Sequence, residues 1–180
     1  MFYFEFDYLQ VPICSFDAKN AVLCPTCEEK LGAGQISNSD EVAIKIAKLA
    51  KANFDIDKFS LFSCKQVLGD HILYLAKSDI QTIRQSRTLY RILQGEFSGK
   101  IWLGESEASY RKFIEDLFFP TKILSINVVL VPGRLQKTMV VVSGKWTPKF
   151  PIDINKVANI VKELRQLDII IEFEEMGNEV

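Results

Sequence analysis

Residues 59–105 read FSLFSCKQVLGDHILYLAKSDIQTIRQSRTLYRILQGEFSGKIWLGE. The first half holds two apolar runs that meet at Leu68-Gly69-Asp70, the pattern of two strands and a turn. The period then changes. Ile80, Ile83, Leu89, Ile92 and Leu93 recur at helical spacing until Gly95 closes the pattern, and KIWLGES is again a short strand. Upstream, SNSDEVAIKIAKLAKANF (37–54) offers N-caps at Ser37 to Asp40. It puts Val42, Ile46, Leu49 and Ala50 on one helical face, with Lys45, Lys48 and Lys51 off it. The order over 38–105 is therefore helix, strand, strand, helix, helix, strand.

From 107 a similar order begins again. EASYRKFIEDLFF is a helix stopped by Pro120, and ILSINVVLVPG with KTMVVVSGK forms a hairpin around Pro132-Gly133. WTPKFPID is a loop, INKVANIVKELRQLD an amphipathic helix, and IIIEFEE a final strand. The second copy has a loop where the first has one of its two central helices. The expected fold class is α+β, with an arm and knuckle over 1–36, one repeat over 37–105 and a second over 106–176. The last residues, from Met176, are expected to fray.

Three of the four cysteines fall in one N-terminal stretch, Cys14, Cys24 and Cys27. A C-x-x-C turn brings two sulfurs to one ion, and two such turns make a tetrahedral zinc site. Cys14-x-x-Asp17 and Cys24-x-x-Cys27 keep that spacing, with a carboxylate oxygen as the fourth donor, a harder but acceptable zinc ligand. One reading is a structural Cys₃Asp zinc site. The other is a site without metal, with residues 11–36 held by packing. The first is favoured because three cysteines would otherwise lie exposed in a small loop with little core of its own. A redox pair is disfavoured, since no thioredoxin-like strand-helix context surrounds Cys24 and Cys27.

Net charge is −1, nearly half of the chain is hydrophobic, and 13 residues are Phe. A core is affordable, and a strongly basic nucleic-acid glue is excluded, though a local basic face is not. No apolar run of about 18 residues occurs, so neither a membrane span nor a membrane partner is expected. MFYFEFDYLQVP carries Glu5 and Asp7, and Phe2, Phe4 and Phe6 alternate with polar neighbours. It reads as a strand or arm rather than a signal peptide, which points to a reduced, cytoplasmic compartment. Cys64 is expected to be a buried small hydrophobe, and His71, in the hairpin, a surface residue. Asp79, Glu105 and Glu115 are scattered, and no phosphate-cradling or dinucleotide motif occurs. With no catalytic constellation, neither an enzyme nor a small-molecule substrate is expected.

Four stretches carry a family resemblance: ICSFDAKNAVLCPTCEEKLGAGQIS (13–37), LGDHILYLAKSDI (68–80), FIEDLFFPTKILSINVV (113–129) and FPIDINKVANIVKELRQLDIIIEFE (150–174). With the element order, they make the chain resemble the archaeal NusA-related KH proteins. The resemblance implies a zinc knuckle followed by two tandem prokaryotic-type KH domains. It implies RNA binding in transcription elongation or termination, through nascent RNA or RNA polymerase.

The chain departs from that family twice. Asp17 stands where a cysteine is usual, and Arg84-Gln85-Ser86-Arg87 stands where the G-x-x-G loop falls. Glycines there let the nucleic-acid backbone approach peptide N–H groups, clamping about four nucleotides. Arg84 and Arg87, with Arg91 one turn on, could instead hold phosphates by charge-assisted bonds, giving salt-sensitive binding with little sequence preference. The alternative is a platform for protein docking, or a factor bound to polymerase or the ribosome, with the apolar arm as a docking strand. In the second repeat, Lys145, Trp146, Lys149 and Phe150 could stack on bases. The favoured reading is instead that Trp146 and Phe150 cover the sheet end left open by the missing helix.

Overall fold

The structure is a computed structural model and describes residues 13–20, 22–33, 45–46, 49, 59–133 and 135–174. The expected N-terminal strand, the caps at 37–40, the positions Val42 and Ala50 and the C-terminal tail lie outside them. The chain is mixed α+β and divides into two compact units, Met1–Glu107 and Ala108–Val180. No helix among the described residues is long and apolar enough to cross a membrane.

Among the described residues, the first elements of the first unit are α1 (Ser15–Asn20) and α2 (Pro25–Gly32). Neither helix is part of the sequence expectation, which has only an arm and knuckle over 1–36. Lys45, Ile46 and Leu49 are helical, and Ile46 and Leu49 are buried in the core. Then come β1 (Leu61–Val67), β2 (Asp70–Leu75), α3 (Lys77–Gln85), α4 (Arg87–Gly95) and β3 (Ile101–Glu105). The sheet order is β1-β2-β3, with β1 antiparallel and β3 parallel to β2. A parallel partner requires a crossover, which α3 and α4 provide. The central strand β2 is covered on both faces, which is why ILYL runs apolar without alternation. Ile80 and Ile83 of α3, and Leu89 and Leu93 of α4, bury onto the sheet at helical spacing.

Two features lock this sheet. The β1–β2 turn places Leu68 at φ 50° and Gly69 at φ 80°. Two residues with positive φ make a type I′ turn, whose twist matches the strands. Asp70 then sits buried at the start of β2. Its Oδ1 accepts from the Lys100 N–H (3.1 Å) and its Oδ2 from Trp102 Nε1 (3.1 Å). Lys100 in turn lies 3.8 Å above the Trp102 ring.

Leu68 is 59% exposed in the left-handed region, so its side chain gains little burial in return for the strain. Leu68→Asn, which restores the preferred Asn-Gly turn, is expected to raise stability by about 0.5–1 kcal/mol. Urea unfolding checks it, and a midpoint at or below wild type would contradict it.

The second unit holds α5 (Tyr110–Phe118), β4 (Ile123–Val131), β5 (Leu135–Ser143), α6 (Ile154–Arg165) and β6 (Ile169–Glu174). Its sheet repeats the connectivity of the first: β4 antiparallel to β5, and β6 parallel to β5, with α6 as the crossover. Phe113, Ile114, Leu117 and Phe118 bury one face of α5, and Val157, Ile160 and Val161 one face of α6. Each such side chain contributes roughly 1.5–3 kcal/mol. Ser109 caps α5, and Asp153 caps α6 by accepting from Asn155 and Lys156 N–H groups. A loop over 144–153 stands between β5 and α6.

Candidate functional site

Cys14 immediately precedes α1, and Asp17 lies in its first turn. Cys24 stands the same way before α2. Its carbonyl accepts from Cys27 N–H (3.0 Å) and Glu28 N–H (2.9 Å), and Cys27 falls in the first turn. Pro25 occupies the first helical position, where its fixed φ suits the helix and its missing N–H leaves nothing unpaired. Each x-x spacing is therefore one helical turn that starts just outside the helix, and both pairs face one point.

One ligand atom from each of Cys14, Asp17, Cys24 and Cys27 lies within 4.8 Å of the other three. Cys14 Sγ and Cys24 Sγ are 3.9 Å apart, and all the cysteines are free thiols. A tetrahedral ion with metal–sulfur bonds of about 2.3 Å sets its sulfurs roughly 3.8 Å apart. The four residues can therefore hold a metal ion.

Asp17 is 0% exposed, and neither of its oxygens has a hydrogen-bond partner of ordinary geometry. A buried carboxylate in that state is costly unless something positive meets it. The Cys27 thiol beside it holds the Asp17 carboxyl below the usual value, and Asp17 in turn pushes the Cys27 thiol up to about 12. Burial also corrects part of the sequence reading. Only Cys14 is exposed. Ile13 and Cys27 join the core of the first unit, and Leu23 and Cys24 pack against it. The donor set is thus mounted on the fold and not on a separate loop.

The α3–α4 joint is shorter than a four-residue loop. Arg84 and Gln85 end α3, Arg87 begins α4, and Ser86 alone lies between. Its Oγ accepts from Leu89 N–H (3.3 Å), and its own N–H donates to the Thr82 and Ile83 carbonyls. Ser86 is thereby committed to ending one helix and capping the next. Arg84 is half-buried, and Gln85, Arg87 and Arg91 are exposed. Arg87 and Arg91 are four apart on α4, so they share one face.

In the second unit, Lys145, Trp146 and Lys149 are exposed, and Trp146 keeps 53% of its surface in solvent. Phe150 is half-buried and meets Phe173 of β6 edge-on at 5.1 Å. Phe150 thus covers the sheet as one reading expected, and Trp146 does not.

Three further residues singled out in the sequence lie within the first unit. Cys64 is buried, and its thiol is pushed up to about 12 by that burial. His71 is not a surface residue; it is half-buried, 5.0 Å from the Phe97 ring. Asp79 accepts from Ser60 N–H (2.7 Å) and Ser78 Oγ (3.1 Å).

No family model matches the chain. No curated protein matches it either. Among solved structures, the crystal structure of APE1850 is similar over 72% of this chain and 95% of its own, with a TM-score of 0.44 and 16% identity. A likeness at that level assigns neither a fold family nor an activity.

Proposed function

We propose that the chain is a non-enzymatic RNA-binding protein built from two degenerate KH-type units, with one structural zinc ion at Cys14, Asp17, Cys24 and Cys27. The observation that carries the reading is the first unit's helix pair. A strand-strand-helix-helix-strand order with a parallel β2–β3 pair presents Arg87 and Arg91 on one exposed face beside the α3–α4 joint. Lacking glycines and a four-residue loop, this joint does not clamp a strand against peptide N–H groups. It attracts phosphates by charge. The resemblance to NusA-related proteins supplies the process, transcription elongation or termination, and a cytoplasmic setting. The zinc reading is supported by the tetrahedral spacing of the thiols and by the unpartnered Asp17 carboxylate; three thiolate donors favour zinc over hard cations.

Polarisation titration of a labelled single-stranded RNA at two salt concentrations tests the reading. Arg87→Glu with Arg91→Glu is expected to weaken binding about tenfold or more, and to reduce the salt slope by about 1.4, for two phosphate contacts at roughly 0.7 each. Arg84 is left intact because it is half-buried. The missing glycine loop favours a second reading, docking to polymerase or ribosome. Absence of RNA binding, with co-sedimentation on either particle, would replace the first reading by that one.

A further inference from the structure

The second unit carries a charge pattern that the helix joint does not explain. From Leu117 to Ile152 there is no acidic residue, while Lys122, Arg134, Lys137, Lys145 and Lys149 fall within the stretch. Of these, Lys122, Lys145 and Lys149 are exposed and lie at the end of the β4–β5 pair that carries the 144–153 loop, while Glu174 of β6 adjoins the loop at Gly144. The same loop carries an exposed tryptophan, Trp146. The two tryptophans of the chain differ sharply: Trp102 is 4% exposed and donates to Asp70, whereas Trp146 is 53% exposed. Among the described residues, Trp146 is an aromatic ring left half in water and flanked in sequence by Lys145 and Lys149.

The loop that presents it is held at both ends. Ser143 N–H donates to the Lys122 carbonyl (2.9 Å), which sets Lys122 beside the loop. Gly144, at φ 107°, donates to the Glu174 carbonyl (3.0 Å), a conformation that a side chain would oppose. Phe150 N–H donates to the Thr147 carbonyl (2.9 Å), and its ring is pinned on Phe173. The ring of Trp146 therefore stands on a pre-ordered loop, which lowers the entropy lost when a flat ligand stacks on it.

We propose that this loop is a base-stacking contact for single-stranded RNA, with Trp146 as the platform and Lys122, Lys145 and Lys149 on the flanking phosphates. Every base has a π-face, so such a contact tolerates sequence, and the lysines match a polyanion. The proposal rests on the RNA-binding reading above and adds a second contact, on the other unit, that does not use Arg87 or Arg91.

Tryptophan emission of the full chain titrated with an oligouridylate RNA tests it, because stacking quenches Trp146 while buried Trp102 stays constant. The expected result is saturable quenching by the RNA. Inorganic polyphosphate should displace the RNA without quenching. Trp146→Ala should weaken binding about tenfold, and Trp146→Phe should recover most of it while removing the quench. The Arg87→Glu, Arg91→Glu protein should still quench at higher RNA concentration. RNA that binds by polarisation without quenching, and as tightly to Trp146→Ala, would overturn the loop contact and leave the helix-joint reading standing. Equal quenching by polyphosphate would reduce the loop to a charge site and overturn stacking. No RNA binding to the wild-type chain would remove both readings. Loss of co-sedimentation with polymerase or ribosomes on Trp146→Ala would then assign the loop to protein docking.

Discussion

Gly99→Ala is expected to destabilise the first unit by about 3 kcal/mol or more, while Gly95→Ala changes it by no more than about 0.5 kcal/mol. A Cβ on Gly99 would lie 1.9 Å from the Gly69 carbonyl oxygen and 2.8 Å from its carbon, whereas one on Gly95 meets nothing within 4 Å. The obstacle at Gly99 is backbone, in a turn whose two residues already hold positive φ, so it cannot rotate aside as a side chain would. Retreat of residue 99 would also draw the Lys100 N–H away from Asp70 Oδ1 and strain the adjoining Trp102 bond. A buried carboxylate would then hold these two donors less well, and that penalty adds to the steric one. Urea unfolding followed by the emission of Trp102 reads the effect. Matching midpoints for wild type and Gly99→Ala would show that the turn and the loop before β3 do not touch.

The strands and longer helices were legible because their burial repeats in the sequence. Ile80 with Ile83, or Phe113 with Leu117, mark a face without reference to the rest of the chain. What escaped was set by distant partners or by short elements. Helix α1 has six residues, too few for a period, and the one local sign of α2 is Pro25, whose place directly after Cys24 suits a helix start. His71 looked like a hairpin surface residue because Phe97, which covers it, lies far along the chain. Asp70 read as a turn residue, and the Trp102 that makes it a buried brace is 32 positions away. At the candidate metal centre, spacing alone nominated all four donors. That Asp17 is enclosed and unpartnered depends on how α1 and α2 sit on the first unit, which no local pattern encodes. At the helix joint the position was legible and the length was not, since only the Ser86–Leu89 cap shows that one residue suffices.

Removal of the proposed zinc is expected to have the second large effect, and Asp17 determines its sign. With free zinc at a hundred times its Kd, the bound ion adds about 2.7 kcal/mol. In a chain of this size, chelation is then expected to lower Tm by roughly 5–10 °C. Asp17→Asn keeps the shape and removes the charge. Without an ion, a buried carboxylate lacking hydrogen bonds is a liability, and the neutral amide would leave Tm unchanged or raise it. With zinc in place, the same substitution withdraws a charge that the ion requires. Asp17→Asn is therefore expected to retain less zinc, to melt near the chelated wild type, and to respond little to chelator itself. Asp17→Cys restores a thiolate and is expected to keep about one zinc per chain. Elemental analysis with thermal melts in and out of chelator gives both readouts. A metal-free wild-type protein that Asp17→Asn stabilises would show that the three thiols and the carboxylate are held together by packing alone.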